Sequence, residues 1–196
     1  MDDTKIREVE NIVKERMSII KETAHSYDHV ERVKRIATLL AEEEGADLEL
    51  VGLGAILHDI GRAVGEPHNE TGARLAKEIL REMDYPEEVI DKVAKIVQSH
   101  RQSLGYELDT LEEEIVWDAD KIDLIGVTGV LRAFHWAGAM KISFNDEVKW
   151  FRKSQIEFYD KLKTESAKIF ARKRNENMMH ILGVLEKELT LEDLRR

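Results

Sequence analysis

Hydrophobic residues recur every three or four positions along most of the chain, which is the spacing that lines up one face of an α-helix. The first stripe of this kind consists of Ile6, Val9, Val13, Met17 and Ile20. This stripe predicts an amphipathic first helix over residues 5–23.

A second helix is predicted from about Asp28 to Gly45, because a glycine after a polar run is a common helix end. Its apolar face is formed by Val33, Ile36, Ala37 and Leu40. His29 lies on the same face, four residues before Val33. The helix therefore presents an imidazole from its apolar side.

The third predicted helix, residues 48–60, is apolar nearly all round and is therefore expected to be central and buried. Asp47, directly before it, is the expected N-cap. The helix ends in the sequence His58-Asp59-Ile60-Gly61. An imidazole and a carboxylate thus come at the end of the most hydrophobic segment of the chain.

The following sequence also predicts helices, with amphipathic patterns over residues 69–83 and 86–100. Thr110-Leu-Glu-Glu113 has the capping-box pattern and should begin a further helix. That helix carries Asp118, Asp120 and Asp123.

Two glycines, Gly126 and Gly129, predict a bend or a close contact between helices, and from Asn145 onward the pattern is helical again. The composition agrees, since 2 prolines and 11 glycines among 196 residues favour long helices over strands and turns. The predicted fold class is all-α, with residues 1–196 forming one domain.

Charge and cysteine content restrict the function. The chain has 30 Lys and Arg against 40 Asp and Glu, and the resulting net charge of −10 argues against a nucleic-acid partner. It has no cysteine, which excludes disulfides, thiolate metal sites and thiol nucleophiles. Any metal site must therefore use nitrogen and oxygen ligands.

The sequence predicts no targeting to a membrane. The N-terminus, MDDTKIREVE, lacks the pattern of a secretion signal. The longest apolar run, residues 51–57, is far too short to span a bilayer. We therefore expect a cytoplasmic protein without a membrane partner.

The His58-Asp59 pair has two interpretations. Because burying a carboxylate and an imidazole costs several kcal/mol unless they are paired, hydrogen-bonded or bound to metal, the pair could be a metal ligand set. The alternative is a helix-end pair that caps neighbouring backbone groups. His29 and Asp120 favour the metal, since three separate helices then each offer a ligand.

Two imidazoles and two carboxylates suit divalent Mn, Fe, Co, Ni or Zn, with Mg also compatible, and leave positions for water and substrate oxygens. His25 lies one helical turn before His29. It could form an i, i+4 chelating pair with His29, or support that residue from outside the coordination sphere.

The arrangement of His29, His58-Asp59 and a distant Asp120 on helices resembles the HD-domain metal-dependent phosphohydrolases. The segments that carry the resemblance are HSYDHVERVKRIA, GAILHDIG, VWDADKIDLIGVTGVLRAF and FYDKLKTESAKIFARKRNENM. They are similar to blocks of a small stand-alone bacterial and archaeal subfamily. The resemblance covers roughly residues 20–190, with an HD core at about 20–130 and a C-terminal helical part at about 145–196.

By this resemblance, an HD-domain helical bundle holds a divalent ion through the four ligands His29, His58, Asp59 and Asp120. The resemblance also implies that Lys121, directly after the last ligand, contacts phosphate, and that Asp118 and Asp123 support the ligands. Asp59 and Lys121 are then the residues expected to carry catalysis. The choice of Asp120 over Asp118 matters, because residues two apart cannot share a helix face.

His68 and His100 follow the His58-Asp59 pair at a spacing that fits two arrangements. They could hold a second metal bridged by Asp59, as in some HD proteins, or contact phosphate or water around a single metal; the sequence analysis favours the second. Three arginines are candidate phosphate contacts: Arg62, Arg101 and Arg174.

The resulting hypothesis is a metal-dependent phosphohydrolase that cleaves a phosphate ester or anhydride of a small phosphorylated molecule by metal-activated water, with a nucleotide as the favoured substrate. One alternative is a di-iron HD-fold oxygenase, which His68 and His100 would permit. The other is a helical domain that binds metal or ligand without catalysis. The sequence specifies no oligomeric state.

Overall fold

Helices form the regular structure of this chain. A computed structural model describes residues 3–20, 25–101, 105–154 and 156–195, and no β-strand occurs within these ranges. The α-helices are α1 Asp3–Met17, α2 Tyr27–Glu44, α3 Leu48–Leu57, α4 His68–Glu82, α5 Glu87–Ser99, α6 Leu111–Leu124, α7 Val127–Ala139, α8 Phe144–Ser154, α9 Ile156–Lys161 and α10 Glu165–Thr190. The predicted all-α fold class is confirmed.

The chain forms two compact units, residues 1–120 and 121–196, so the boundary falls within α6. In the first unit, α3 packs against α1, α2 and α5, and α4 packs against α5. Every residue of α3 from Leu50 to Leu57 is buried, as its all-round apolar sequence predicts. The organisation of residues 1–196 as one domain stays a prediction.

Capping residues fix one end of each helix that carries or leads to His29, His58 and Asp120. The Asp47 carboxylate accepts hydrogen bonds from the backbone N–H of Glu49 and Leu50, at 2.9 and 3.1 Å. Gly45 ends α2 in the left-handed conformation, with φ of 70°. The Thr110 hydroxyl accepts from the backbone N–H of Glu113 at 3.3 Å and begins α6.

Two helices are shorter than the sequence pattern predicts. The first ends at Met17, and Ile20 lies outside it; residues 21–23, which the prediction also included, lie outside the described residues. The third ends at Leu57, and a 3-10 turn over Ile60–Ala63 follows. In that turn the backbone N–H of Arg62 donates to the carbonyl of Asp59 at 3.0 Å, which replaces the α-helical hydrogen-bond pattern.

In the second unit, α7 packs against α8 and α10. Gly126 separates α6 from α7 at a φ of 97°, and a Cβ at Gly129 would lie 1.9 Å from the carbonyl oxygen of Leu124. These positions confirm the predicted bend and close contact. The sequence analysis did not predict α7 as a separate element.

Among the described residues, no helix is both long enough and apolar enough to cross a membrane. The expected cytoplasmic location stays a prediction.

Glu147 on α8 is a buried carboxylate in the second unit. Its side chain is 1% exposed, and Oε1 has no hydrogen-bond partner among the described residues. Burial raises the pKa of Glu147 above its usual value of 4.5. The folded chain therefore holds the Glu147 proton more tightly than the unfolded chain does. The free energy of unfolding falls as the pH rises from 4.5 through the raised pKa of the folded state.

We expect Glu147→Gln to raise Tm at pH 8 by about 2–4 °C, because the amide removes a buried charge. In a chain of this size, that shift corresponds to a gain of about 1 kcal/mol in the free energy of unfolding. The gain should disappear near pH 4.5. Thermal melts at both pH values measure it. Glu157→Gln is the control, because exposed Glu157 pairs with Lys161 and should give no gain. Equal effects at both pH values would contradict the prediction.

Candidate metal centre

Three helices of the first unit bring His29, His58 and Asp120 together. His29 lies in the first turn of α2, His58 directly follows α3, and Asp120 lies in α6. The Nε2 atom of His29 is 3.2 Å from Nε2 of His58 and 3.4 Å from Oδ1 of Asp120. Both histidines are buried. These three residues, which could hold one metal ion, are called the first cluster.

The orientation of His58 is fixed by the backbone of its own helix. Nδ1 lies 2.8 Å from the carbonyl oxygen of Ala55, so Nδ1 carries the proton and donates it. Nε2 then presents a lone pair to the first cluster. Burial lowers the pKa of His58 to about 4, because the effect of burial is larger than the opposing effects of Asp59 and Asp120. The imidazole is therefore neutral near pH 7, the form that binds metal.

A second group of ligand atoms comes from Asp59, His68 and His100. His68 is the first residue of α4, and His100 directly follows α5. Oδ1 of Asp59 lies 3.4 Å from Nε2 of His68 and 3.6 Å from Nε2 of His100. All three residues are buried and could hold a metal ion, and they are called the second cluster.

Both second-cluster histidines carry their proton on the side away from Asp59. Nδ1 of His100 lies 2.6 Å from the carbonyl oxygen of Val97, and Nδ1 of His68 lies 3.0 Å from Oε1 of Glu66. Each Nδ1–H donates to an oxygen, so each Nε2 presents a lone pair to the Asp59 carboxylate. Metal-binding histidines are oriented in this way.

Asp59 connects the two clusters. While Oδ1 faces the second cluster, Oδ2 lies 3.9 Å from Nε2 of His29 and 3.8 Å from Nε2 of His58. Nε of Arg62 is 2.7 Å from the same Oδ2. Burial raises the pKa of Asp59, but Arg62 and His58 outweigh it and hold that pKa well below its usual range. The carboxylate is therefore an anion at neutral pH.

The buried polar atoms of the second cluster fit a bound cation. Oδ1 of Asp59 and Nε2 of His68 are fully buried, and neither forms a hydrogen bond with the residues that the structure describes. Two electron-rich atoms 3.4 Å apart repel each other unless a positive charge lies near both. Ligands about 2.1 Å from one ion and at right angles lie about 3 Å apart, close to the distances in both clusters.

The glycine of His58-Asp59-Ile60-Gly61 brings two backbone segments into contact. A Cβ atom at Gly61 would lie 1.9 Å from the carbonyl oxygen of His68 and 2.6 Å from the backbone nitrogen of Gly72. Both neighbours are backbone atoms of α4, which cannot move aside as a side chain can. The turn after Asp59 therefore lies directly on the first turn of α4.

The other predicted site residues of the first unit lie near the clusters. The His25 ring centroid is 6.1 Å from that of His29. Asp118 is fully buried in α6. Arg101, which the sequence predicts as a phosphate contact, forms an ion pair with Glu66, a partner that the sequence did not predict. Their supporting and phosphate-binding roles stay predictions, as does that of Arg62.

Three predicted residues lie in the second unit. Nη1 of Arg132 donates to Oδ2 of buried Asp123 at 2.7 Å. Nη1 of Arg174 donates to the carbonyl oxygen of Ile122 at 3.3 Å. Nζ of Lys121 lies 5.8 Å from the centroid of the Phe158 ring. The roles expected of Asp123, Arg174 and Lys121 stay predictions.

Sequence reasoning missed two residues beside the second cluster. Glu66 accepts from the imidazole of His68, and fully buried Asn69 donates from Nδ2 to the carbonyl oxygen of Gln98 at 3.1 Å. Glu66 and Asn69 each lie within two residues of His68, and this proximity was the signal in the sequence that could have identified them. Arg101, the second partner of Glu66, and Gln98, the partner of Asn69, come from a distant segment, which no spacing in the sequence reveals.

Comparisons with known proteins identify the family and the fold that this chain shares. Residues 26–125 match the family model of the HD domain. The chain is 28% identical to YpgQ of Bacillus subtilis (strain 168) over 179 residues, which are 85% of each chain. The crystal structure of YpgQ in complex with ADP superposes with a TM-score of 0.79 at 25% identity, covering 93% of this chain and 97% of that chain.

A second solved structure, an HD-superfamily hydrolase from Bacillus thuringiensis, gives a TM-score of 0.79 at 25% identity and covers 97% of this chain and 99% of that chain. Another relative, matched over a shorter stretch, is the tRNA (cytidine(56)-2'-O)-methyltransferase of Thermoplasma volcanium, which is 31% identical over 140 residues. That match includes 66% of this chain but only 37% of the methyltransferase.

Proposed function

Because the chain belongs to the HD domain family, we propose that it is a metal-dependent phosphohydrolase that uses two divalent ions and acts on a nucleotide. The first ion would be held by His29, His58, Asp59 and Asp120. The second would be held by His68 and His100, with Asp59 shared between the two. The sequence analysis favoured a single ion, and the geometry favours two.

The observation that carries this proposal is the position of the Asp59 carboxylate between the two clusters. One of its oxygens faces His29 and His58, and the other faces His68 and His100. Each of His58, His68 and His100 has its Nδ1 next to an oxygen acceptor, which directs its Nε2 inward. A helix-end pair that only capped backbone groups would need none of these orientations.

When bound, divalent ions polarise a phosphoryl oxygen and lower the pKa of water toward neutrality. The chain's own residues orient and balance this chemistry. Asp59 stays ionised beside Arg62 and so supplies one negatively charged oxygen to each cluster. Lys121, which follows Asp120 in α6, would offset negative charge that develops on the phosphate.

One finding supports a nucleotide as the substrate class. YpgQ, which aligns with 93% of this chain, has been crystallised in complex with ADP. The net charge of −10 repels anions at long range, so an anionic substrate depends on local cations, either those bound in the clusters or those that it brings with it.

A chelation and reloading experiment tests the proposal. The purified chain is stripped of metal with EDTA, reloaded with Mn²⁺, and assayed for release of phosphate and pyrophosphate from nucleoside di- and triphosphates. We expect two ions per chain, with release restored by Mn²⁺ and absent after EDTA. Two irons with an optical band in the chain as purified, with no release after reloading, would instead support oxygen chemistry. Metal uptake without turnover on any substrate would support a binding domain.

A further inference from the structure

We propose that Glu66 and Arg101 form a positioning pair that sets the affinity of the second cluster for its metal ion without changing the affinity of the first. This inference rests on the two-ion arrangement proposed above. Neither residue is a metal ligand in that arrangement. Both would act through His68, by fixing its ring and its protonated nitrogen.

The Glu66 carboxylate contacts His68 twice. Oε1 lies 3.0 Å from Nδ1 of the imidazole, and Oε2 accepts from the backbone N–H of His68 at 3.3 Å. The side chain of Glu66 is 62% exposed, whereas that of His68 is 3% exposed. The exposed Glu66 carboxylate thus holds Nδ1 of the buried His68 ring, whose Nε2 faces Asp59.

Arg101 holds the other side of the same carboxylate. Its Nη1 donates to Oε2 of Glu66 and lies 3.4 Å from Nδ1 of His68. Arg101 directly follows His100, and Glu66 lies two residues before His68. The ion pair therefore joins the two segments that supply the histidines of the second cluster, and holds them together from the outside.

The first cluster has a separate support. Nδ1 of His58 is held by the carbonyl oxygen of Ala55 in its own helix. Among the contacts found for Glu66 and Arg101 in the described part of the chain, none reaches His29, His58 or Asp120. A change at Glu66 should therefore weaken one ion position selectively, which general destabilisation would not do.

The test is a titration of the metal-free chain and its Glu66→Gln variant with Mn²⁺. Calorimetry and the EPR signal of free Mn²⁺ measure the affinity for each ion. Loss of such an outer partner typically weakens metal binding by about 10–100-fold. We expect that loss for the second ion, with the first ion unchanged within about threefold. Arg101→Gln should shift the second affinity in the same direction.

Glu70→Gln is the matched control. Glu70 is exposed in the first turn of the same helix and accepts from the Tyr106 hydroxyl at 3.1 Å, so its loss removes the same charge without touching His68. We expect it to retain both affinities, and melting temperatures of the metal-free variants show whether the fold is intact.

Two ions in the wild type and equal second affinities in Glu66→Gln and Glu70→Gln would overturn this inference alone. Equal weakening of both ions in Glu66→Gln would also overturn it. A wild-type chain that takes up only one ion would overturn the two-ion proposal and the positioning role together.

Discussion

Asp59→Asn should abolish tight binding of both metal ions and lower phosphohydrolase turnover by at least about a thousandfold. The reason is that the two oxygens of the Asp59 carboxylate face different clusters: Oδ2 lies 3.9 and 3.8 Å from Nε2 of His29 and His58, and Oδ1 lies 3.4 and 3.6 Å from Nε2 of His68 and His100. The amide of Asn has almost the same shape but only one oxygen and no charge, so it cannot serve two cations. Elemental analysis and steady-state kinetics on one preparation measure the two losses.

Two neighbouring aspartates provide the comparison for Asp59. Asp120→Asn should remove only the first ion, because Asp120 lies 3.4 Å from His29 and belongs to the first cluster alone. Asp118→Asn should keep both ions, since Asp118 is buried on the same helix but belongs to neither cluster. Full metal occupancy in Asp59→Asn would disprove the shared-ligand arrangement, and greater loss in Asp118→Asn than in Asp120→Asn would show that Asp118 is the ligand.

Lys121→Ala should leave metal content and Tm nearly unchanged while lowering turnover by about ten- to a thousandfold, the range for loss of a group that stabilises transition-state charge. Lys121 follows Asp120 on α6, and one residue along a helix turns the side chain by about 100°. The lysine can therefore lie beside the ligand without sharing its direction. Kinetics at full metal occupancy separate this role from metal binding.

Lys161→Ala is the control for this substitution. Lys161 is 54% exposed and pairs with Glu157 one turn earlier in its own helix, so its loss should change turnover by less than about twofold. If Lys121→Ala gives an equally small change at full occupancy, Lys121 does not contact the substrate, and the phosphoryl-transfer proposal loses one of its supports.

The helical fold was largely predictable from the sequence because its signals are local. The stripe of α1, the N-cap Asp47 and the all-round apolar α3 each determine a helix within about a dozen residues. The ends were less predictable: α3 stops at Leu57, three residues earlier than its pattern indicates. The 3-10 turn that follows packs against the first turn of α4 through Gly61, a backbone contact that the hydrophobic pattern does not reveal.

Much of the candidate site was also predictable, because burying His29, His58 and Asp59 on apolar segments requires compensation by a metal or a partner. The resemblance to HD proteins, confirmed by the match over residues 26–125, supplied Asp120. The sequence left open whether His68 and His100 hold a second metal bridged by Asp59 or contact phosphate around a single metal, and the structure places their Nε2 atoms on the opposite oxygen of Asp59 from His29 and His58. That arrangement follows from the packing of α4 on α5, which brings together residues 32 positions apart.

The contact at Gly61 limits how closely two ligand-bearing segments of the proposed two-ion site can approach each other. With backbone atoms of α4 already 1.9 and 2.6 Å from where a Cβ would be, the segment after Asp59 and the segment that begins with His68 cannot come closer together. Even the smallest side chain would push them apart. Main-chain atoms therefore set the closest approach of the segments that supply Asp59 and His68, and rotation of the ligand side chains would take up a difference in ion radius below that limit. A residue without a side chain would thus limit which pairs of ions the proposed site can hold.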